Sequence, residues 1–405
     1  MTQTGRWRWI AIGIFVISSF LNYLDRQLLA AAAPSIKSEF HLTNSQFGQI
    51  VSVFSVVYAS VSPLAGMFID RVGLNLGACA AVFVWSLATI GTGFTNTFRA
   101  LLGARTLLGV SEAAGIPGAG KSYAMYLSAR EFAMGTAVNQ IGISLGLAAA
   151  PLIVQAIAPH YGWRGAFVAC GIVGMIWIPM WLMITKLIPP SAPPSNVPHA
   201  KIGDLLRDRR LWGLVFGAVF LMALYTLWTN WTTLYFVEQW HLPQDEANRR
   251  FAWIPPIFAI AGGLAGGWIA YHWIRRGMDV ITARLRVCWI CAIAASACTA
   301  VIPLAPNAIW SNVAISFSAF WAICATTNLY ALPIDMFGPG RAAFGVAALT
   351  LAYGGMQTVS SPIIGKTVDL HGFSTVCLWM AVTPLIGIVI LQFTAAASAR
   401  ARTRA

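Results

Sequence analysis

The recurrence of long apolar runs constrains this chain more than any other feature. They occupy residues 9–33, 45–68, 76–94, 98–126, 134–158, 164–186, 212–237, 251–271, 287–304, 311–333, 343–365 and 374–396. Each is close to or longer than the roughly 20 residues that carry a helix across a bilayer. Of the 405 residues, 58% are hydrophobic and 10% charged, where soluble proteins average about 25% charged. Nothing is left over for a soluble catalytic domain. The runs are continuous rather than alternating, which argues against a transmembrane barrel. The predicted fold is an all-α membrane protein of twelve transmembrane helices. The first run follows Arg6 and Arg8, carries Asn22, Asp25 and Arg26, and shows no A-x-A cleavage pattern. It is therefore expected to remain as a spanning helix rather than be removed as a signal peptide.

A net charge of +13 raises the question of nucleic acid. The distribution of the 26 Lys and Arg answers it. Seventeen fall in the terminal segments and even-numbered loops, six on the opposite side, and Arg26, Arg105 and Lys121 lie inside runs. Such asymmetry places both termini in the cytoplasm and makes the basicity topological. No nucleic-acid partner is expected. Cys288 and Cys291 have CxxC spacing, but they start an apolar helix with no second pair and no nearby His. Small buried hydrophobes explain them better than a metal set, and no metal or other cofactor is expected.

One long polar connection, KLIPPSAPPSNVPHAKIGDLLRDRR, divides the runs into six and six. The expected organisation is an N-terminal bundle at 1–186, a cytoplasmic Pro-rich linker at 187–211 and a C-terminal bundle with a basic tail at 212–405. The proline content predicts an extended linker. The halves echo one another. GMFIDRVG at 66–73 and GGWIAYHWIRRG at 266–277 occupy equivalent loops, and Arg130, Gly135 and Pro151 are matched by Arg341, Gly345 and Pro362. Parallel six-helix repeats about an axis along the membrane normal describe a known transporter architecture.

GIPGAGKS at 115–122 spells the phosphate-binding pattern G-x-x-x-x-G-K-[ST]. That loop needs a strand before it and a helix after it. Upstream stands RTLLGVSEAA, which is helix-compatible and contains an Arg and a Glu. The glycines instead suit close helix approach within a spanning segment, and Pro117 is expected to bend it. ATP is therefore not an expected ligand, and the chain is not expected to be an enzyme.

GMFIDRVG resembles the loop signature of the major facilitator superfamily, with Gly66, Asp70, Arg71 and Gly73 in register. Leu74 and Asn75 replace its basic end, and Tyr271 and His272 stand where the second copy would carry Asp-Arg. More narrowly, NYLDRQLLAAAAPSI, RTLLGVSEAAGIPGAGKS and ATTNLYALPIDMFGP resemble the first, fourth and tenth helices of the anion:cation symporters that carry hexuronates and other sugar acids. The resemblance implies the two-bundle pseudo-symmetric fold and a bacterial inner membrane. It also implies an inner gate locked through Asp70 and Arg71, and a lysine at the position of Lys121 that serves the substrate.

Buried charge in a membrane helix costs at least about 2.5–3.5 kcal/mol and marks function by default. Asp25 and Arg26 sit side by side in the first run, one turn after Asn22 and Tyr23. Arg105 and Glu112, seven apart, share a helix face. Three cations against two carboxylates leave one positive charge for an anionic ligand, with Arg26, Arg105 and Lys121 as its holders. Asp25 and Glu112 are the candidate proton carriers. A static ion-pair staple between the first and fourth helices is the structural alternative, and Lys121 could instead reach the membrane interface. Tyr23, Tyr58, Asn230, Asn328, Tyr330 and Gln357 could read the hydroxyls or ring of a polar substrate, while core packing or interfacial anchoring explains any one of them equally well. The expected protein is a monomeric proton-coupled symporter that imports a small organic anion, a hexuronate or other sugar acid. Another carboxylate cargo, a non-transporting membrane sensor and a drug exporter are the rivals, the last disfavoured by the basic surplus.

Overall fold

The computed structural model describes residues 3–128, 131–188 and 206–402. The prolines of the expected linker, Arg130, Lys201 and Arg404 lie outside them. Most of the described residues are helical, and none of them lies in a strand. In order they form α1 (Gln3–Ala31), α2 (Ala33–Phe40), α3 (Asn44–Val72), α4 (Leu74–Thr92), α5 (Phe98–Glu112), α6 (Gly115–Tyr126) and α7 (Phe132–Leu187). The second half supplies α8 (Arg209–Leu221), α9 (Ala223–Trp240), the short α10 (Gln244–Ala247), α11 (Ile254–Arg275), α12 (Val280–Ala300), α13 (Ala308–Phe337) and α14 (Pro339–Arg402).

Nine helical segments among the described residues are long and apolar enough to cross a membrane, against the twelve runs read in the sequence. Two causes account for the difference. α7 and α14 run 56 and 64 residues and each contains two runs, joined across a glycine that leaves helical geometry, Gly162 (φ 66°) and Gly372 (φ 75°). At about 1.5 Å per residue either helix far exceeds one bilayer thickness. The run at 98–126 is interrupted, and α5 and α6, of 15 and 12 residues, each fall short of a crossing.

The chain forms two compact units, Met1–Ser195 with His241–Trp253, and Asn196–Trp240 with Ile254–Ala405. The thirteen residues His241–Trp253, read from sequence as part of the C-terminal bundle, thus pack within the first unit. Turn chemistry repeats between the halves at three places. Left-handed residues occur at His41 and His241 (both φ 52°), at Gly73 and Gly277 (91° and 90°), and at Gly162 and Gly372. Within the second unit, α11 lies directly on α13. A Cβ at Gly262 would fall 2.1 Å from the Phe320 carbonyl oxygen, and one at Gly266 would fall 2.5 Å from that of Cys324. This is the small-xxx-small contact by which membrane helices bring backbones together.

Candidate functional site

The first unit gathers the intramembrane charges. Asp25 and Arg26 lie in the C-terminal third of α1, and Glu112 is the last residue of α5. Pro117 explains why α5 stops there. It has no N–H for the Ala113 carbonyl and its ring collides with that carbonyl, so the helix breaks one turn upstream, at Ala113–Ala114. The sequence reading put the bend at Pro117 itself.

Arg26 Nε donates to Glu112 Oε2 at 2.7 Å, and Arg26 Nη2 donates to Asn22 Oδ1 at 3.0 Å. Three rings surround the guanidinium, those of Tyr58, Tyr23 and Phe54, with centroids 4.2, 4.5 and 5.0 Å from Cζ. Ring quadrupoles stabilise a cation whose water has been stripped away. The Glu112 side chain is fully enclosed, and its Oε1 has no hydrogen-bond partner. The Arg26 side chain keeps 18% of its surface exposed. The pair therefore has one sealed end and one open end.

Behind it, Asp25 is 1% exposed and accepts a hydrogen bond from Thr89 Oγ1 of α4 at 3.1 Å, leaving Oδ1 without a partner. Arg105, also 1% exposed, lies 5.7 Å from the centroid of the Phe167 ring, and its Nε and Nη2 lack hydrogen-bond partners. Buried polar groups without partners are rare in proteins and call for an explanation. Here four such atoms belong to charged residues of α1 and α5.

Lys121 is engaged elsewhere. Its ammonium donates to Asp70 Oδ1 at 2.8 Å and to the Ile69 carbonyl at 3.0 Å, at the end of α3. Lys121 thus joins the signature-loop residue Asp70, while Arg71 is exposed beside it. In the second unit, Asn328 is fully buried and spends its amide on the carbonyls of Gly266 and Cys324. Asn230 donates to the Thr226 carbonyl of its own helix. Tyr330 and Gln357 are half-buried. Cys288 and Cys291 are buried, as their apolar context implied.

Sequence reasoning missed Thr89, whose signal is a hydroxyl one turn after Ser86 in an otherwise apolar run. It also missed the ring of Phe54 and the ion pair of Arg284 with Asp335 between α12 and α13.

Charges enclosed in membrane helices mark functional positions by default. The sequence profile of the Major Facilitator Superfamily matches residues 15–361, and the chain belongs to that family. It is 26% identical to the hexuronate transporter of Escherichia coli strain K12 over 95% of this chain and 93% of that one. It is 28% identical to the galacturonate transporter of Dickeya chrysanthemi over 65% and 81%. A probable sulfoacetate transporter of Cupriavidus necator is 24% identical over 92% and 90%. Among solved structures, an inward-facing, unoccupied bacterial homologue of the human lysosomal transporter Spinster superposes with a TM-score of 0.76 at 18% identity, covering 97% and 96% of the two chains. That last likeness concerns the fold alone.

Proposed function

We propose that this protein is a proton-coupled symporter that imports a sugar acid, a hexuronate or a close relative, by alternating access across a bacterial inner membrane. In this reading it crosses the membrane twelve times as a monomer, with both termini cytoplasmic. The observation that carries it is the Arg26–Glu112 pair, sealed at the carboxylate and open at the guanidinium.

With Lys121 held by Asp70, the remaining cluster is Arg26 and Arg105 against Asp25 and Glu112, which is neutral. This revises the sequence count, in which Lys121 left a standing positive charge. In a neutral cluster the demand for an anion arises only when a carboxylate takes up a proton. Protonated Glu112 lets go of Arg26, and the substrate carboxylate takes its place at the guanidinium. Loss of the proton reverses the exchange. Proton and substrate thus compete for one pairing problem, and that competition couples their movements. Asp25 and Arg105 supply a second buried carboxylate and a second buried guanidinium in the same unit, able to extend the relay. Tyr23 and Tyr58 hold the Arg26 plane. For hydroxyl recognition the candidates are Tyr330, Gln357 and Asn230; the Asn328 donors are spent on backbone, which favours a structural role for it. Asp70, Arg71 and Lys121 serve the inner gate.

Relatives named for hexuronate and galacturonate support the cargo class, and the sulfoacetate relative makes a small sulfonate the next cargo to test. The test is uptake of labelled hexuronates, aldonates and sulfoacetate by proteoliposomes, with and without an imposed pH gradient. Uptake of none of them refutes the cargo class. Accumulation indifferent to the gradient refutes proton coupling.

A further inference from the structure

In the second copy of the signature loop, Tyr271 and His272 stand in the places of Asp and Arg. Asp70 of the first copy receives the Lys121 ammonium. Tyr271 offers no carboxylate and is 58% exposed. Leu264, Trp268, Tyr271 and Arg275 follow one another at intervals of four, three and four, so they lie along one face of α11. All four are exposed. Two stacked pairs, each one turn long, finish the helix. The Trp268 and His272 rings lie 5.5 Å apart with 12° between their planes, and the Arg275 Cζ lies 5.7 Å from the Tyr271 centroid.

Arg275 ends α11, Arg276 follows it, and Gly277 (φ 90°) turns the chain toward α12, which exposes Arg286. Among the described residues Arg284 is paired with Asp335, while no ion pair engages Arg275, Arg276 or Arg286. The carboxylate of the turn, Asp279, accepts from the N–H and the hydroxyl of Thr282 as the cap of α12. Depth orders the exposed groups. α11 ends the apolar segment Gln244–Arg275. At about 1.5 Å per residue, Tyr271 lies about 6 Å and Trp268 about 10 Å inward of Arg275 along the axis. Arginines thus stand at the level of lipid phosphates, with aromatic rings at the glycerol and upper acyl level beneath them.

We propose that this end of α11 binds one anionic phospholipid, its phosphate held by Arg275 and Arg276 and its glycerol and upper chains laid on Tyr271 and Trp268. Charge complementarity selects the occupant. Guanidiniums without a carboxylate bind phosphate through charge-assisted hydrogen bonds, and a zwitterionic headgroup, which carries its own cation, gains less from them. The rings beneath add apolar contact that a soluble phosphate has nothing to fill. Stacking on Tyr271 also holds the Arg275 head in place before the lipid arrives, which lowers the ordering cost of binding. Such a site requires α11 to span the membrane and is independent of cargo and of proton coupling.

Native mass spectrometry of the detergent-solubilised protein, titrated with phosphatidylglycerol and phosphatidylcholine of identical acyl chains, tests it. The first phosphatidylglycerol is expected to be held about tenfold more tightly. Arg275→Gln with Arg276→Gln should abolish that preference. Arg99→Gln with Arg249→Gln removes the same charge from exposed positions outside the patch and should leave the preference intact. Equal retention of the two lipids, an equal loss in both arginine pairs, or displacement of the lipid by an equal concentration of inorganic phosphate overturns the site. A second measurement needs no variant. In phosphatidylcholine vesicles the native protein should immobilise a larger fraction of spin-labelled phosphatidylglycerol than of spin-labelled phosphatidylcholine, and equal fractions refute the lipid assignment.

Discussion

Replacing Glu112 by Gln tests whether substrate and Glu112 compete for Arg26. The substitution keeps the shape of the side chain and removes its charge. Two unit charges about 4 Å apart at an effective dielectric near 20 attract by about 4 kcal/mol. Arg26 keeps 18% of its side chain exposed, so we take between a third and a half of that, about 1.4–2 kcal/mol, as surviving screening. An incoming carboxylate must displace that attraction in the native protein and is spared it in Glu112→Gln. The variant is expected to bind galacturonate roughly ten- to thirtyfold more tightly at neutral pH. It should exchange substrate across the membrane yet fail to accumulate it against a gradient. Calorimetric titration in detergent gives the affinity, and counterflow and gradient-driven uptake give the two transport modes. Equal or weaker binding by a folded Glu112→Gln protein refutes the competition. Normal accumulation refutes the proton role.

Lys121→Ala should leave substrate affinity within about twofold, because the ammonium is bonded to Asp70. In a double-mutant cycle on transport rate, Lys121→Ala and Asp70→Asn should show a coupling of about 0.2–1 kcal/mol, the range for exposed pairs. Asn328→Leu should lower stability by about 1–3 kcal/mol, since the Gly266 carbonyl loses its buried donor, with substrate affinity unmoved. Hydrogen bonds from Arg164 Nη1, at 2.6 and 2.5 Å, hold the Glu39 carboxyl below its ordinary range. A lowered folded-state pKa stabilises above the unfolded value and is lost as pH falls through the folded one. Melting temperature should therefore drop more steeply below about pH 4.5 in the native protein than in Glu39→Gln. His41→Val should cost about 1–2 kcal/mol by thermal unfolding, because a β-branched residue resists the left-handed turn at φ 52°.

The helical membrane class and the charged residues of α1 and α5 were legible because hydropathy and intramembrane charge are properties of single residues. Partner choice was not. Arg26 could have paired with its neighbour Asp25, yet Glu112 of another helix holds it, and Asp25 turns to Thr89. Nothing local to α1 distinguishes these outcomes. Lys121 was assigned to substrate by resemblance; in this structure its ammonium meets the nearby end of α3, a contact invisible to helical periodicity. Pro117 announced a break but not its place, because the lost bond belongs to the carbonyl four residues earlier. The anchorage of His241–Trp253 was hidden most completely: Gln244 and Asn248 read as ordinary loop residues, yet their amides meet the Ser35 N–H and the Ala31 carbonyl. Its turn did leave a trace, since FHL at 40–42 and WHL at 240–242 match where both histidines are left-handed.

The contact between α11 and α13 has a mechanical consequence. Backbone touches backbone at Gly262 and Gly266, and the Asn328 amide fastens the same Gly266 carbonyl from the other helix. Two rods that cannot slide past each other bend as one thick beam, far stiffer than the pair lying loose. Lateral pressure from lipid or a change in bilayer thickness should therefore tilt α11 and α13 together like a plank. A single alanine at Gly262, by wedging the rods apart, would restore their freedom to bow separately.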